Sequence, residues 1–268
     1  MTHEAHPALR SLIQGACDSG EDHADEVSRL FKIRTADSHG QRSSASVLIN
    51  RMYASRGYRV TPLPSRQLPT RITFTASEHD DIIGTITIGF DSDDGLHVDE
   101  LFARETHAIR REGRRVCEFT KLAMDSVVQS KRVLASLFHV SYIFAHRMMG
   151  LDDLLIEVNP RHVRYYQRML GFEVLCAPRH NPRVNAPAVL MRLRFTHAHE
   201  QIDRFGGRPE YSLVERSLYP LFFSVEEEAS IVGRLKATQP DAMYASHGYH
   251  PGNYAGPSDD RARPAPHH

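Results

Sequence analysis

From Leu30 to Thr35 apolar and polar residues alternate, with Phe31, Ile33 and Thr35 on one side and Leu30, Lys32 and Arg34 on the other, which predicts a strand. Ala45, Leu48, Ile49, Met52 and Tyr53 then recur at helical spacing as one apolar stripe, and Gly57 stands where a C-terminal cap is expected. Pro62, Pro64 and Pro69 predict a loop. Two β-rich segments follow, Thr70–Ala76 and Ile82–Phe90, separated by the polar turn 77–81, the pattern of an antiparallel hairpin. Val98, Leu101, Phe102, Glu105 and Ile109 predict a helix ended by Gly113. Arg115–Met124 alternates again, with Val116, Glu118, Thr120 and Leu122 on one face and Cys117, Phe119, Lys121 and Ala123 on the other. Ser130 caps a helix whose broad apolar face runs from Val133 to Met148 and closes at Gly150. Leu154–Val158 is a nearly continuous apolar strand, Pro160 opens a helix ending at Gly171, and Phe172–Cys176 and Ala188–Phe195 are β-rich. Two Ser-x-x-Glu boxes, Ser212 with Glu215 and Ser224 with Glu227, predict two further helices.

The resulting order, β-α-β-β-α-β-α-β-α-β-β with helices at the end, predicts an α/β fold built on a mixed sheet. A flexible segment over 1–27, a folded domain over 28–198, a helical extension over 199–239 and a disordered tail over 240–268 complete the expected organisation. Composition sharpens this. The 268 residues are 41% hydrophobic and 25% charged, which is ordinary globular usage, and no uncharged apolar run is long enough to span a bilayer. MTHEAHPALR offers neither an h-region nor a cleavage site, so a secretory signal is not expected. Basic and acidic residues balance at 33 each, against a dedicated nucleic-acid binder. Cys17, Cys117 and Cys176 form neither a disulfide framework nor a zinc pattern, and a reducing cytoplasm is the expected location. The histidines at the very end are read as tail residues, and no metal site is expected.

Three stretches carry a resemblance. Ile82–Ile88 (IIGTITI) is similar to a hairpin strand of the GNAT-type acyltransferase superfamily, and the unit from Leu154 to Phe172 is similar to that superfamily's closing strand–helix block. Arg114–Ala123 (RRVCEFTKLA) resembles the fourth strand of autoinducer-type synthases and of FeeM-type N-acyl amino acid synthases. With the insert between Asp94 and Gly113, HVRYYQRMLGFE and SLYPLFFS, the likeness to the FeeM type extends from about residue 28 to 237. It implies a GNAT-like fold with a helical insert and C-terminal helices. The implied reaction moves a long-chain acyl group from acyl carrier protein to the amine of an amino acid, with no metal or redox cofactor. The place of the superfamily's glycine-containing pyrophosphate loop reads Val128-Gln129-Ser130-Lys131-Arg132-Val133, without glycine, which favours a carrier-protein thioester over coenzyme A. Arg59–Thr70 contains no acid, which disfavours the cationic donor of acyl-homoserine-lactone synthesis. That synthesis, an ornithine-lipid type of acylation, a coenzyme A-dependent acetyltransferase and an idle acyl-ligand-binding fold are the alternatives.

Thioester aminolysis needs a neutral amine and a stabilised oxyanion. Glu118, on an apolar strand face, is the expected proton acceptor; its alternative is a structural ion pair with Arg115 or Lys121. The resemblance points to backbone N–H groups around Leu122 and Ala123 for the thioester oxygen. Lys121 is expected to bind the acceptor's carboxylate, or else to be a solvated strand residue. Tyr166 stands five residues before Gly171, one more than the superfamily's acid tyrosine, and is read as a core or acyl-tunnel residue. Phe102, Phe138, Tyr142, Phe144 and Met148 are candidates to line an acyl tunnel or to be plain core. Seven arginines face one acid between Arg161 and Arg194, and with Lys131 and Arg132 the residues Arg161 and Arg164 are the expected docking points for an acidic carrier protein. Cys117, on the face opposite Glu118, is expected to be inert.

Overall fold

The structure, a computed structural model, describes residues 13–17, 29–125 and 130–238; the tail expected over 240–268 and most of 1–27 lie outside them. Strand β1 (Ile13–Cys17) pairs antiparallel with β2 (Arg29–Thr35), so part of the segment expected to be flexible extends the sheet. Helix α1 (His39–Ala54) starts at a reciprocal capping box in which Ser38 accepts from the Gln41 N–H and Gln41 reaches back to the Ser38 N–H. Strands β3 (Arg71–Glu78) and β4 (Asp81–Phe90) form the expected hairpin, but with a tighter turn. His79 and Asp80 both hold positive φ, 50° and 88°, the backbone twist that a two-residue hairpin loop requires. Ser77 and Glu78 therefore remain paired, opposite Ile82 and Asp81.

Helix α2 (Asp99–Arg111) leads to β5 (Val116–Met124), and α3 (Lys131–Tyr142) continues into a π-helical turn over Ile143–Met148 before Gly150. Strand β6 (Asp153–Val158), a 3-10 turn (Pro160–His162), α4 (Val163–Leu170), β7 (Glu173–Val174), β8 (Arg179–Asn181) and β9 (Ala186–Arg194) follow. Helix α5 (Phe195–Phe205) begins where β9 ends, and α6 (Val225–Thr238) is entered through the predicted Ser224–Glu227 box. Among the described residues the strand order is β1-β2-β3-β4-β5-β6-β9-β7, with β8 also on β9, and β5–β6 is its parallel pair.

The sheet is covered on both sides. One face packs Phe31, Ile72, Ile88, Cys117, Phe119 and Leu154 against α3, α4, α5 and the C-terminal segment. The other face packs Val116, Leu155 and Leu190 against Phe102 and Ile109 of α2, while α1 lies over Ala123. Leu154 and Leu155 are neighbours in β6 and point to opposite cores, as strand alternation requires.

Two expectations need correction. No α-helix follows Ser212: a 3-10 turn occupies Pro209–Leu213, because Leu213 and Val214 are exposed and there is no apolar stripe to bury. Glu215 instead accepts from the Ser217 N–H at 3.0 Å. Conversely, α5 starts at Phe195, the last residue of a segment predicted to be β-rich and ahead of the helical extension expected from 199. Its buried Phe195, Ala198, Ile202 and Phe205 keep helical spacing, but Arg194 at the N-cap makes no side-chain cap and so leaves no start signal.

Candidate active site

The parallel pairing of β5 with β6 is short: Val116 with Asp153, Cys117 with Leu154, Glu118 with Leu155, and then none. Both strands continue, β5 to Met124 and β6 to Val158, so the sheet forks beyond Glu118. A bulge marks the fork on β5. Lys121 and Leu122 together stand opposite Ile86, and Lys121 holds a left-handed φ of 51°, unusual for a residue with a side chain. The Thr85 hydroxyl secures the bulge by donating to the Lys121 carbonyl at 2.8 Å. From Phe119 to Met124 the β5 edge turned away from β4 meets no strand among the described residues, which leaves Leu122 and Ala123 beside the opening. The helices that follow the two forked strands, α3 and α4, start past this end. Lys131 and Arg132 are exposed at the first, Arg161 and Arg164 at the second. Ser130 caps α3, while Val128 and Gln129 fall outside the described residues.

On the α1 and α2 side of the fork stands a cluster of charged side chains. Glu118 is fully buried there, but its setting is not the apolar one expected from the sequence. Its carboxylate accepts from the His97 N–H at 3.0 Å, the Val98 N–H at 3.1 Å and the Arg71 guanidinium at 3.0 Å. The partner is thus Arg71 of β3, and neither Arg115 nor Lys121. Arg115 lies at the opposite end of β5, bonding Asp152 and the Gly150 carbonyl. Lys121 reaches the Thr61 carbonyl in the proline loop. Burial, reinforced by the nearby Arg71 and Arg183 charges, pushes its ammonium down to about 8. The loop itself is pinned to α1 through buried Arg42, which donates to the Pro64 carbonyl at 2.6 Å, and through Ser46, which accepts from the Leu63 N–H at 3.0 Å.

Two residues past the last β5–β6 pair, on the Glu118 face, stands Glu157. It accepts from the Asn181 amide and, at 3.3 Å, from Arg183, which also pairs with Glu100 at 3.3 Å. Burial raises the Glu157 carboxyl above the usual carboxylate range despite these donors. Burial likewise lowers the proton affinity of His97, which keeps its ring neutral near pH 7. Arg71, His97, Glu157 and Arg183 are the site residues that sequence patterning missed. Glu157 carried a signal, a carboxylate inside an apolar strand; Arg71 and Arg183 join only through tertiary pairing.

The opposite mouth of the fork is apolar. Phe119 packs against Phe138 with ring centres 6.2 Å apart, and Phe138 against Tyr166 at 6.4 Å. Tyr166 is edge-on to Phe172, and burial raises its hydroxyl above the ordinary tyrosine value. Phe102 is not among them. It belongs to the core on the other face, with the Arg179 guanidinium 5.0 Å above its ring. One tunnel cannot hold both Phe102 and Phe138, because the sheet lies between them. Cys117 is fully buried and its thiol is raised by burial, as its predicted face implied. Several of the clustered arginines are consumed internally: Arg179 by Glu105, Arg192 and Arg114 by Asp153, Arg110 by Asp91 and Asp99. Arg161 lies over the Tyr58 ring at 6.0 Å and stays exposed, as does Arg164.

The family model described as "N-acyl amino acid synthase FeeM" matches residues 44–194, from α1 through β9. The solved structure of FeeM, an N-acyl amino acid synthase from uncultured soil microbes, superposes with a TM-score of 0.57 at 27% identity, covering 63% of this chain and 93% of that one. The AHL synthase LasI aligns at 10% identity and a TM-score of 0.48, over 62% of this chain and 91% of its own. A GNAT-family acetyltransferase from Streptococcus pneumoniae aligns at 16% and 0.45, over 61% and 98%. No curated protein sequence matches the chain. The forked mixed sheet and the match over more than half its length make this chain a member of the FeeM N-acyl amino acid synthase family, an N-acyltransferase with a GNAT-like fold.

Proposed function

We propose that this N-acyltransferase joins a long-chain acyl group, delivered as a thioester on acyl carrier protein, to the amine of an amino acid. The observation that carries this reading is the fork itself, with a cluster of charged side chains on one face and apolar side chains on the other. An acyl chain suits the apolar side and an amino acid the charged side, so the thioester carbon and the amine meet at the gap. The balance is simple: the ammonium gives one proton to a base, nitrogen bonds the acyl carbon, the thiolate leaves, and a second proton passes from nitrogen to sulfur. No redox partner enters.

In this reading Lys121 and Arg71 face the acceptor's carboxylate, and amide groups near Leu122 and Ala123 receive the thioester oxygen. Glu118 positions Arg71 and the 97–98 backbone, since its oxygens already serve three donors. Glu157, half-buried with its proton affinity raised, is the carboxylate suited to take the ammonium proton. Lys131, Arg132, Arg161 and Arg164 present positive charge around the mouth of the fork to an acidic carrier protein. The proposed setting is the cytoplasm, where such carriers and amino acids occur together; no helix among the described residues is long and apolar enough to cross a membrane.

The test is mass spectrometry of lipid extracts from cells producing the protein or its Glu157→Gln variant. N-acyl amino acid ions that depend on the intact protein support the reading and reveal the head group. Identical extracts from cells containing abundant folded protein would sink it.

A further inference from the structure

Both oxygens of Glu157 are held by one turn that lies outside the forked strands. Strands β8 and β9 are joined by residues 182–185, and Asn181 stands at the foot of this turn, opposite Ala186 and 2% exposed. Its amide is used at both ends. The Oδ1 accepts from the Arg183 N–H at 2.8 Å, which fixes the way the amide faces and turns its Nδ2 to donate to Glu157 Oε1. The Arg183 guanidinium donates to Oε2 at 3.3 Å. The two donors differ in setting. Arg183 is 38% exposed and also pairs with Glu100, whereas the Asn181 amide is shut away from water, where a hydrogen bond is stronger and better aligned.

We propose that Asn181 is a positioning residue for acyl transfer, whose hydrogen bond fixes the orientation and the charge state of the carboxylate that takes the acceptor's proton. The proposal rests on the transfer reading above and on Glu157 as its proton acceptor. A base works only when ionised and only from one geometry. Burial favours the neutral carboxyl, and Glu118 of β5 and Glu100 of α2 add like charge; the Asn181 amide and Arg183 oppose them. Tyr53 of α1, its hydroxyl pushed up to about 12 by burial and therefore neutral, is the remaining titratable group within electrostatic reach among the described residues. The turn alone does not require this arrangement. An Asx turn uses the Oδ1 of Asn181 and leaves its Nδ2 without a task.

Asn181→Ser separates the two roles, because a serine hydroxyl can still accept from the Arg183 N–H but is too short to reach Glu157. The experiment follows single-turnover amide formation by the full-length protein, with a long-chain acyl carrier protein thioester and an amino acid, across the acid limb of the pH–rate profile. Losing the donor leaves the carboxyl holding its proton more tightly, so the midpoint of that limb should move up by about one pH unit in Asn181→Ser and in Asn181→Ala. In a Glu157→Gln background the same substitutions should lower the rate less than twofold, since the group they act through is gone. A limb that stays in place, or an equal fractional loss in both backgrounds, overturns the proposal. Should Asn181→Ala fail to fold, Asn181→Ser decides alone. A wild-type protein that makes no acyl amide strikes the transfer reading instead, and a Glu157→Gln enzyme as fast as the wild type strikes the assignment of the base.

Discussion

Arg71 and Glu118 form an ion pair at 3.0 Å although β4 lies between their strands, and they meet across Gly89. A Cβ at residue 89 would stand 2.8 Å from the Glu118 side chain and 2.9 Å from the Arg71 guanidinium, so glycine is what lets the pair close over the middle strand. Gly89→Ala is therefore expected to lower stability by about 1–3 kcal/mol, as overpacking does, and to lower kcat/KM at least tenfold. Urea denaturation and steady-state kinetics check both; wild-type values would refute the bridging role.

Glu118→Gln and Glu157→Gln should separate positioning from proton transfer. The first puts an amide where three donors converge, leaves Arg71 without its charge partner and should cost about 3 kcal/mol of stability. The second should leave denaturation nearly unchanged and lower kcat by about 100-fold or more, the usual contribution of a general base. A Glu157→Gln enzyme with wild-type kcat would remove that residue from the chemistry.

Lys121 sits at a cost to the fold. Its ammonium, lowered to about 8, is less favourable in the folded protein than in the unfolded chain. Between that value and the ordinary lysine range the unfolded state binds more protons, so this residue's contribution to stability rises with pH there. Lys121→Met should raise the melting temperature at pH 7 by a few degrees while raising the KM for the amino acid. Wild-type activity should also fall as pH climbs through about 8, a limb that Lys121→Met would lack.

The burial of His139 predicts acid sensitivity. Burial lowers its proton affinity, and Nδ1 is already occupied by the Phe223 N–H. A histidine whose folded value lies below its unfolded one binds fewer protons when folded, so its stability contribution is whole above about 6.5 and is lost as pH falls below that. The melting temperature of the wild type should drop more between pH 7 and pH 5 than that of His139→Gln. Equal slopes would show that this histidine does not govern the transition.

Charge reversal at Arg161 and Arg164 should raise the KM for the carrier-bound thioester about tenfold and flatten its salt dependence, leaving a small pantetheine thioester unaffected. Equal losses with both donors would place these residues in the chemistry and not in docking.

Much of this architecture is legible in the sequence because burial writes periodicity. The stripe of α1, the hairpin and the apolar run of β6 each declare which face is inside. Glu118 was legible as a carboxylate on an inward face, but its partner was not, since Arg71 lies 47 residues away and is joined to it only through strand order. The bulge at Lys121 was invisible as well: strict alternation places Lys121 opposite Glu118, and a left-handed residue shifts the register beyond it. Helix α5 shows the converse. Its spacing was present in the sequence, but without a cap nothing marked where the preceding strand stops.

The fork also bears on the order of events. In the proposed reaction the acyl group and the amine approach the fork from opposite faces, so neither substrate has to leave before the other arrives. The thiol beside the gap, Cys117, is sealed in the core with its proton held tightly, which suits it poorly to carry an acyl group between half-reactions. Initial-rate patterns should accordingly intersect, as in a ternary-complex enzyme, instead of running parallel as in a ping-pong one.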